Sequence, residues 1–82
     1  MSRVLIIEDN ETMRTGLALV TSRMGHDAVP VASGAEGMDR LRERGADLVI
    51  TDYRMQGMDG LEVLDALKRV LPETAVIMIT AH

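Results

Sequence analysis

The stretch "VLIIEDN", residues 4–10, decides the fold. Its apolar residues, Val4 to Ile7, run without the alternation of a strand that has one face in water. Both faces of such a strand must be covered, which is typical of a parallel sheet. The run ends on two acids, Glu8 and Asp9, and a second strand, Leu48 to Thr51, begins with an apolar run at 48–50 and also ends on an acid, Asp52. These runs predict buried parallel strands with carboxylates at their ends.

Helical periodicity separates the first two strands. Apolar residues recur at spacings of four, three and four residues, which predicts one face of a helix. They are Met13, Leu17, Val20 and Met24. Asn10 or Thr12 could cap this helix, and Gly25 fits just past its end. Asp27 to Ala32 then predicts a short strand, and Pro30 inside it favours an edge position.

Two more helices and a fourth strand complete the pattern. Ser33 and Glu36 form a capping box before a second helix, which Gly45 ends. Its inward residues are predicted to be Ala35, Met38 and Leu41. A third helix is predicted from Asp59 to Pro72, with Asp59 as its cap, and a fourth strand from Ala75 to Thr80. The order β-α-β-α-β-α-β predicts an α/β fold with a parallel sheet and helices on both faces.

Composition limits the class of protein. The chain has 82 residues, so residues 1–82 are expected to form one small domain. Its formal charge of −4 argues against direct binding of nucleic acid through this segment. It has no cysteine, which excludes a disulfide framework, and no apolar run approaches the roughly 20 residues of a membrane span. No signal-peptide pattern opens the chain, so the expected location is cytoplasmic.

Three carboxylates are predicted to meet at one edge of the sheet. Ligands of open parallel sheets bind outside the carboxyl ends of the strands, where Glu8, Asp9 and Asp52 lie. Neighbouring carboxylates repel, and Mg²⁺ or Mn²⁺ would relieve that repulsion. A cation beside a free carboxylate oxygen suits phosphoryl transfer to aspartate, and the hydroxyl of Thr80 could donate to a phosphoryl oxygen. Taken singly, Asp9 and Asp52 could equally be solvated loop or turn acids.

At this point the chain resembles a known family, the receiver domain of two-component response regulators. The residues that carry the resemblance are "VLIIEDN" (4–10), "DLVITDYRMQGMDG" (47–60) and "AVIMITAH" (75–82). The resemblance implies a flavodoxin-like (CheY-like) doubly wound parallel sheet with strand order 2-1-3-4-5. The sequence covers this fold only as far as the fourth strand, so residues 1–82 are expected to be a partial receiver domain.

The resemblance also implies a role for each acid. Asp52 matches the phosphoacceptor, and Thr80 matches the switch hydroxyl. Glu8 and Asp9 match the metal-binding pair, with Asp9 the more direct ligand, and the backbone carbonyl of Arg54 would be another. The implied phosphodonor is the phosphohistidine of a sensor histidine kinase. The implied readout is a downstream output domain, such as a DNA-binding transcriptional activator, and no enzymatic activity beyond slow self-dephosphorylation is implied.

Two departures from the family pattern stand out. Gln56 replaces the proline that usually follows the loop methionine. The family's fourth helix, fifth strand and fifth helix are not in the sequence, nor is the lysine after the fifth strand, because Lys68 lies in the third helix. One apolar face of the sheet is then expected to be poorly covered, so the 82-residue segment is expected to continue in a longer chain, to self-associate or to swap domains.

Three other functions fit parts of the pattern. A haloacid-dehalogenase-like phosphatase also uses a strand-end aspartate and Mg²⁺, but it needs a second aspartate where this chain has Arg54. A nucleotide or flavin binder needs a glycine-rich first loop to hold phosphate, and the loop here is the acidic "EDNETM", residues 8–13. A third alternative is an interaction module that keeps the fold without being phosphorylated, which the missing lysine favours.

Overall fold

The computed structural model describes residues 2–52, 65, 68–69 and 74–79. In this part of the chain, strands and helices alternate as the apolar runs and the helical spacing predict. The elements are β1 (Arg3–Ile7), α1 (Glu11–Arg23), β2 (Asp27–Val31), α2 (Gly34–Arg44), β3 (Leu48–Asp52) and β4 (Ala75–Ile79). The predicted third helix falls mostly outside the described residues. Of its predicted range, Asp65, Lys68 and Arg69 are described, and all three are helical.

The strands form a parallel sheet in the order β2-β1-β3-β4. This order agrees with the first four strands of the predicted flavodoxin-like sheet. In the register, Ile7 lies between Val31 of β2 and Thr51 of β3. Pro30 is on β2, opposite Ile6 of β1, and β2 is an edge strand of the sheet. This position agrees with the prediction, because proline has no N–H to donate to a neighbouring strand.

The two faces of the sheet are covered by different helices. The face under α2 carries the main apolar core, because alternate residues of each strand point to the same side. This core consists of Leu5, Ile7, Val31 and Val49 from the strands and Met38 and Leu41 from α2. On the other face, Val4 and Ile6 are buried, and Val4 shares a cavity lining with Thr21 of α1 and with Met24, the residue that follows this helix. The sheet is therefore doubly wound.

Helices α1 and α2 each begin at a capping residue, and α2 ends at a glycine. Asn10 is the cap of α1, and its side-chain oxygen accepts from the backbone N–H of Met13 at 2.9 Å. Asn10, not Thr12, therefore fulfils the capping prediction. Ser33 caps α2 by accepting from the N–H of Glu36 at 3.2 Å. Gly45 ends α2 with φ of 69°, a backbone conformation that glycine adopts at little cost.

The prediction for the inner face of α2 was wrong at Ala35, which is exposed. The buried positions of α2 are Gly34, Gly37, Met38 and Leu41. Two of them are glycines, which bring the helix backbone close to the sheet and carry no apolar side chain for a periodicity argument to detect. The end of β2 also differs, since the strand ends at Val31 instead of Ala32.

The inner face of α1 is rotated from the apolar stripe that the spacing predicts. Thr21 is buried, and the half-buried residues of the helix are Arg14, Leu17 and Ala18. The stripe residues Met13, Val20 and Met24 are instead exposed, by 38%, 57% and 68%. Met24 lines a cavity with Leu48 and Ile50, which are only half-buried, so apolar surface remains open on this face, as expected. No helix within the described residues is both long enough and apolar enough to cross a membrane.

Candidate functional site

The candidate site lies where β1 and β3 end. The last paired residues of these strands are Ile7 and Thr51, and Glu8 and Asp52 each come one position later. Asp52 is in turn paired with Ile79 of β4. Three parallel strands therefore finish at one edge, with Glu8, Asp9 and Asp52 in the backbone positions that the sequence predicts.

Glu8 is held tightly at this edge. Its side chain is buried, with 1% of its surface exposed, and its Oε2 accepts from the backbone N–H of Asn10 at 3.1 Å. Its own N–H donates to the carbonyl of Val31 on β2 at 3.1 Å. A buried carboxylate needs such partners, because burial removes the water that would stabilise its charge. Glu8 is therefore fixed both through its backbone and through its side chain.

Asp9 is the exposed member of the pair. No hydrogen bond or ion pair joins its carboxylate to another residue in the described part of the chain. Within that part of the chain, Asp9 is an exposed acid next to a buried one. The two acids thus differ in burial, and the role of Asp9 as the more direct metal ligand stays a prediction.

Arg14 contacts the acid loop, by which we mean residues 8–10. Its Nη1 donates to the backbone carbonyl of Glu8 at 2.9 Å and to that of Asp9 at 3.3 Å. The sequence analysis did not identify this residue. The one signal available was the spacing of three residues to Leu17 of the predicted stripe, since residues three apart share a helical face and long side chains lean towards the N-terminus of their helix.

The described structure covers only the backbone at Asp52. Thr80, the predicted switch hydroxyl, and Arg54, the predicted carbonyl ligand, lie outside the described residues. The side chains described at this edge thus supply two carboxylates, and no group of three metal-binding side chains occurs among those described. The roles of Asp52, Thr80 and Arg54 remain predictions.

The donor set at this edge fits a hard divalent cation. Carboxylate and carbonyl oxygens are the ligands that Mg²⁺ prefers, and it usually retains several waters. Asp9 offers a solvent-accessible carboxylate, and Glu8 adds a second, buried negative charge one residue earlier. The acid loop is thus chemically suited to such an ion.

Lys68 is at the opposite end of the sheet. Its Nζ donates to the carbonyl of Thr74 at 3.2 Å, just before β4 begins at Ala75. The Oγ1 of Thr74 in turn donates to the carbonyl of Ala46 at 3.1 Å, before β3 begins. Since the acids lie at the carboxyl ends of the strands, Lys68 does not act as the lysine that the family places at the phosphoryl group.

Comparison with known proteins places this architecture in a family. The model of the family described as response regulator receiver domain matches residues 4–82. The chain is 38% identical, over 82 residues, to the transcriptional regulatory protein AfsQ1 of Streptomyces coelicolor, of which it covers 36%. It is 36% identical, over 81 residues, to the transcriptional regulatory protein GlrR of Escherichia coli, of which it covers 18%. The chain thus spans about a third or less of these relatives.

A solved structure agrees in three dimensions. The crystal structure of a response regulator receiver domain protein from Clostridium thermocellum superposes with a TM-score of 0.93 at 28% identity. The match covers 98% of this chain and 65% of that one. The family match covers residues 4–82, and the strand order β2-β1-β3-β4 with acids at the carboxyl edge is the one that the family resemblance implies. The chain belongs to the receiver domains of two-component response regulators, which are signalling domains.

Proposed function

We propose that this chain is a phosphoacceptor receiver domain that takes a phosphoryl group on Asp52 from the phosphohistidine of a sensor histidine kinase. The observation that carries the proposal is the register of β1 and β3, which brings the acid loop beside the backbone of Asp52. The proposal includes a cytoplasmic location and a downstream output domain. Transcription is the favoured output, because relatives with this segment are transcriptional regulatory proteins.

For the transfer itself, the protein needs mainly to position the reacting groups and to stabilise the negative charge of the phosphoryl oxygens. One oxygen of the Asp52 carboxylate attacks the phosphorus atom while the bond between phosphorus and the kinase's histidine nitrogen breaks. The electron pair of that bond stays on the histidine nitrogen, and an acyl phosphate forms on Asp52. The hydroxyl of Thr80 would then donate a hydrogen bond to a phosphoryl oxygen, and this contact would switch the output domain.

The acid loop would hold the cation that this chemistry needs. Glu8, Asp9, Asp52 and the backbone carbonyl of Arg54 would bind Mg²⁺ or Mn²⁺. When bound, the cation would offset the negative charge that phosphoryl oxygens bring to a carboxylate edge. The exposed carboxylate of Asp9 supports direct contact with the ion, and the buried carboxylate of Glu8 supports a fixed charge behind it.

The test is phosphorylation of the full-length protein by a small acyl phosphate in the presence of Mg²⁺. We expect a mass increase of one phosphoryl group that is stable in acid, labile in base and lost in Asp52→Asn. Asp39→Asn is the matched control, because Asp39 is an exposed carboxylate on α2, away from the strand ends. Labelling of Asp52→Asn to the wild-type extent would contradict the assignment of Asp52.

A second candidate is an interaction module that keeps the receiver fold without being phosphorylated. Lys68 is the one lysine of residues 1–82, and its bond to the carbonyl of Thr74 keeps it from the place that the family gives to a lysine. The same experiment separates the two functions. A wild-type protein that stays unlabelled by the acyl phosphate and also by a panel of phosphorylated kinases would favour the interaction module.

A further inference from the structure

We propose that Arg14 is a positioning residue that fixes the peptide groups of the acid loop and so sets the direction of the Asp9 carboxylate for a divalent cation. The inference rests on the proposed function. It assigns to α1 a part in the metal site through a residue that supplies no ligand of its own.

The geometry of Arg14 joins two consecutive peptide groups to the first turns of α1. Its Nη1 donates to the carbonyl oxygens of both Glu8 and Asp9, at 2.9 and 3.3 Å. Its backbone N–H donates to the carbonyl of Asn10 at 2.8 Å. One half-buried residue thus binds all three carbonyl groups of the acid loop. The planar guanidinium suits this role, because its donors have fixed directions.

Among the described residues, the other contacts of the acid loop act on Glu8 and Asn10. The N–H of Glu8 is bound to Val31, and the carboxylate of Glu8 accepts from Asn10. These contacts fix the strand end and the start of α1. The carboxylate of Asp9 makes no hydrogen bond within the described residues, and the peptide groups on either side of Asp9 set the position of the backbone from which it projects. Arg14 holds both of those groups.

Charge and position predict opposite effects on metal affinity. A guanidinium near the acid loop repels a divalent cation, so removing its charge alone would tighten Mg²⁺ binding. If Arg14 instead orients a ligand, removing it should weaken binding. Partners that orient metal ligands typically change affinity by about 10–100-fold. We expect the positioning effect to exceed the repulsion and Arg14→Ala to weaken Mg²⁺ binding by about 10-fold.

The experiment compares wild-type full-length protein with Arg14→Ala, Arg14→Lys and the control Arg23→Ala. Arg23 is an exposed arginine in the last turn of the same helix, so its removal changes the net charge equally. Mg²⁺ is titrated while the amide signals of residues 8–10 are followed. Arg14→Lys keeps one charged donor, so we expect it to restore part of the affinity. Arg23→Ala should bind Mg²⁺ as the wild type does.

A second readout needs no metal. The N–H of Asn10 donates to Glu8, so its hydrogen exchange reports how well the acid loop is held. We expect exchange at Asn10 to be about 10-fold faster in Arg14→Ala and unchanged in Arg23→Ala, with both variants still melting cooperatively. Unchanged exchange in Arg14→Ala, or Mg²⁺ binding as tight as in the wild type or tighter, would overturn the inference. A wild-type protein that binds no Mg²⁺ would refute the proposed metal site, and exchange at Asn10 would still decide the role of Arg14.

Discussion

Replacing Gly37 by alanine tests how closely α2 approaches the sheet beneath the candidate site. A Cβ atom at position 37 would lie 2.6 Å from Cδ1 of Ile7, 2.9 Å from its Cγ1 and 3.6 Å from Cγ2 of Val31. Ile7 is fully buried, with 0% exposed, and the next residue is Glu8. A side chain in such a packed core has little room to move away.

The magnitude follows from two opposing terms. Alanine in a helix interior is favoured over glycine by about 1 kcal/mol, whereas forcing extra volume into a packed core costs about 1–3 kcal/mol. Gly37→Ala should therefore lower the free energy of unfolding by up to about 2 kcal/mol. Gly16 of α1 provides the matched control, because a Cβ atom there meets nothing within 4 Å. Gly16→Ala should raise the free energy of unfolding by about 1 kcal/mol.

The assay is urea unfolding followed by circular dichroism, with thermal melting alongside. The difference between the two variants removes the helix-propensity term and leaves the clash, about 1–3 kcal/mol. For a domain of this size, each kcal/mol shifts the melting temperature by about 4–8 °C. If Gly37→Ala stabilises the protein as much as Gly16→Ala does, α2 does not lie as close to Ile7 as the structure places it.

Helix capping and the open apolar surface provide two further tests. Asn10→Ala should lower the free energy of unfolding, measured in urea, by about 1 kcal/mol. Asn10→Asp should unfold with nearly the wild-type free energy, because aspartate also caps helices. An equal loss in both variants would contradict the capping role of Asn10. A polypeptide of residues 1–82 alone should self-associate at micromolar concentration in sedimentation experiments, because Val20, Met24 and Ile77 are 57%, 68% and 50% exposed. A monomer of that polypeptide with a melting temperature above roughly 50 °C would contradict this expectation.

The sheet was predictable because each of its strands carries a strong signal. Val4 to Ile7 has no polar residue to place in water, so it predicts a strand with both faces covered. Pro30 is by itself enough to indicate an edge strand, and β2 is at the edge of the sheet. The order of β1 and β3 follows from the family resemblance, and the backbone positions of Glu8 and Asp52 follow from that order.

The helix faces were harder to predict, because apolar periodicity records hydrophobic side chains and not proximity. Gly34 and Gly37 are buried positions of α2, but glycine adds no side chain to an apolar stripe. In α1, Thr21 is buried while Val20 beside it is exposed. A polar residue at an inward position is invisible to a hydrophobic pattern, and this is also why Arg14 went unnoticed. Its role depends on carbonyl groups of the loop, which are present in every sequence.

The two acids of the loop are held by different means, which gives them different parts in the proposed site. Glu8 is buried and its carboxylate accepts a hydrogen bond from the N–H of Asn10, so its position depends on the fold. Asp9 is exposed and depends on peptide groups that Arg14 holds from α1. A cation that contacts Asp9 therefore binds a ligand whose placement is coupled to the first turns of a helix. Because an ion that binds only the folded state stabilises it, the stability of these first turns and the affinity of the acid loop for Mg²⁺ should rise and fall together.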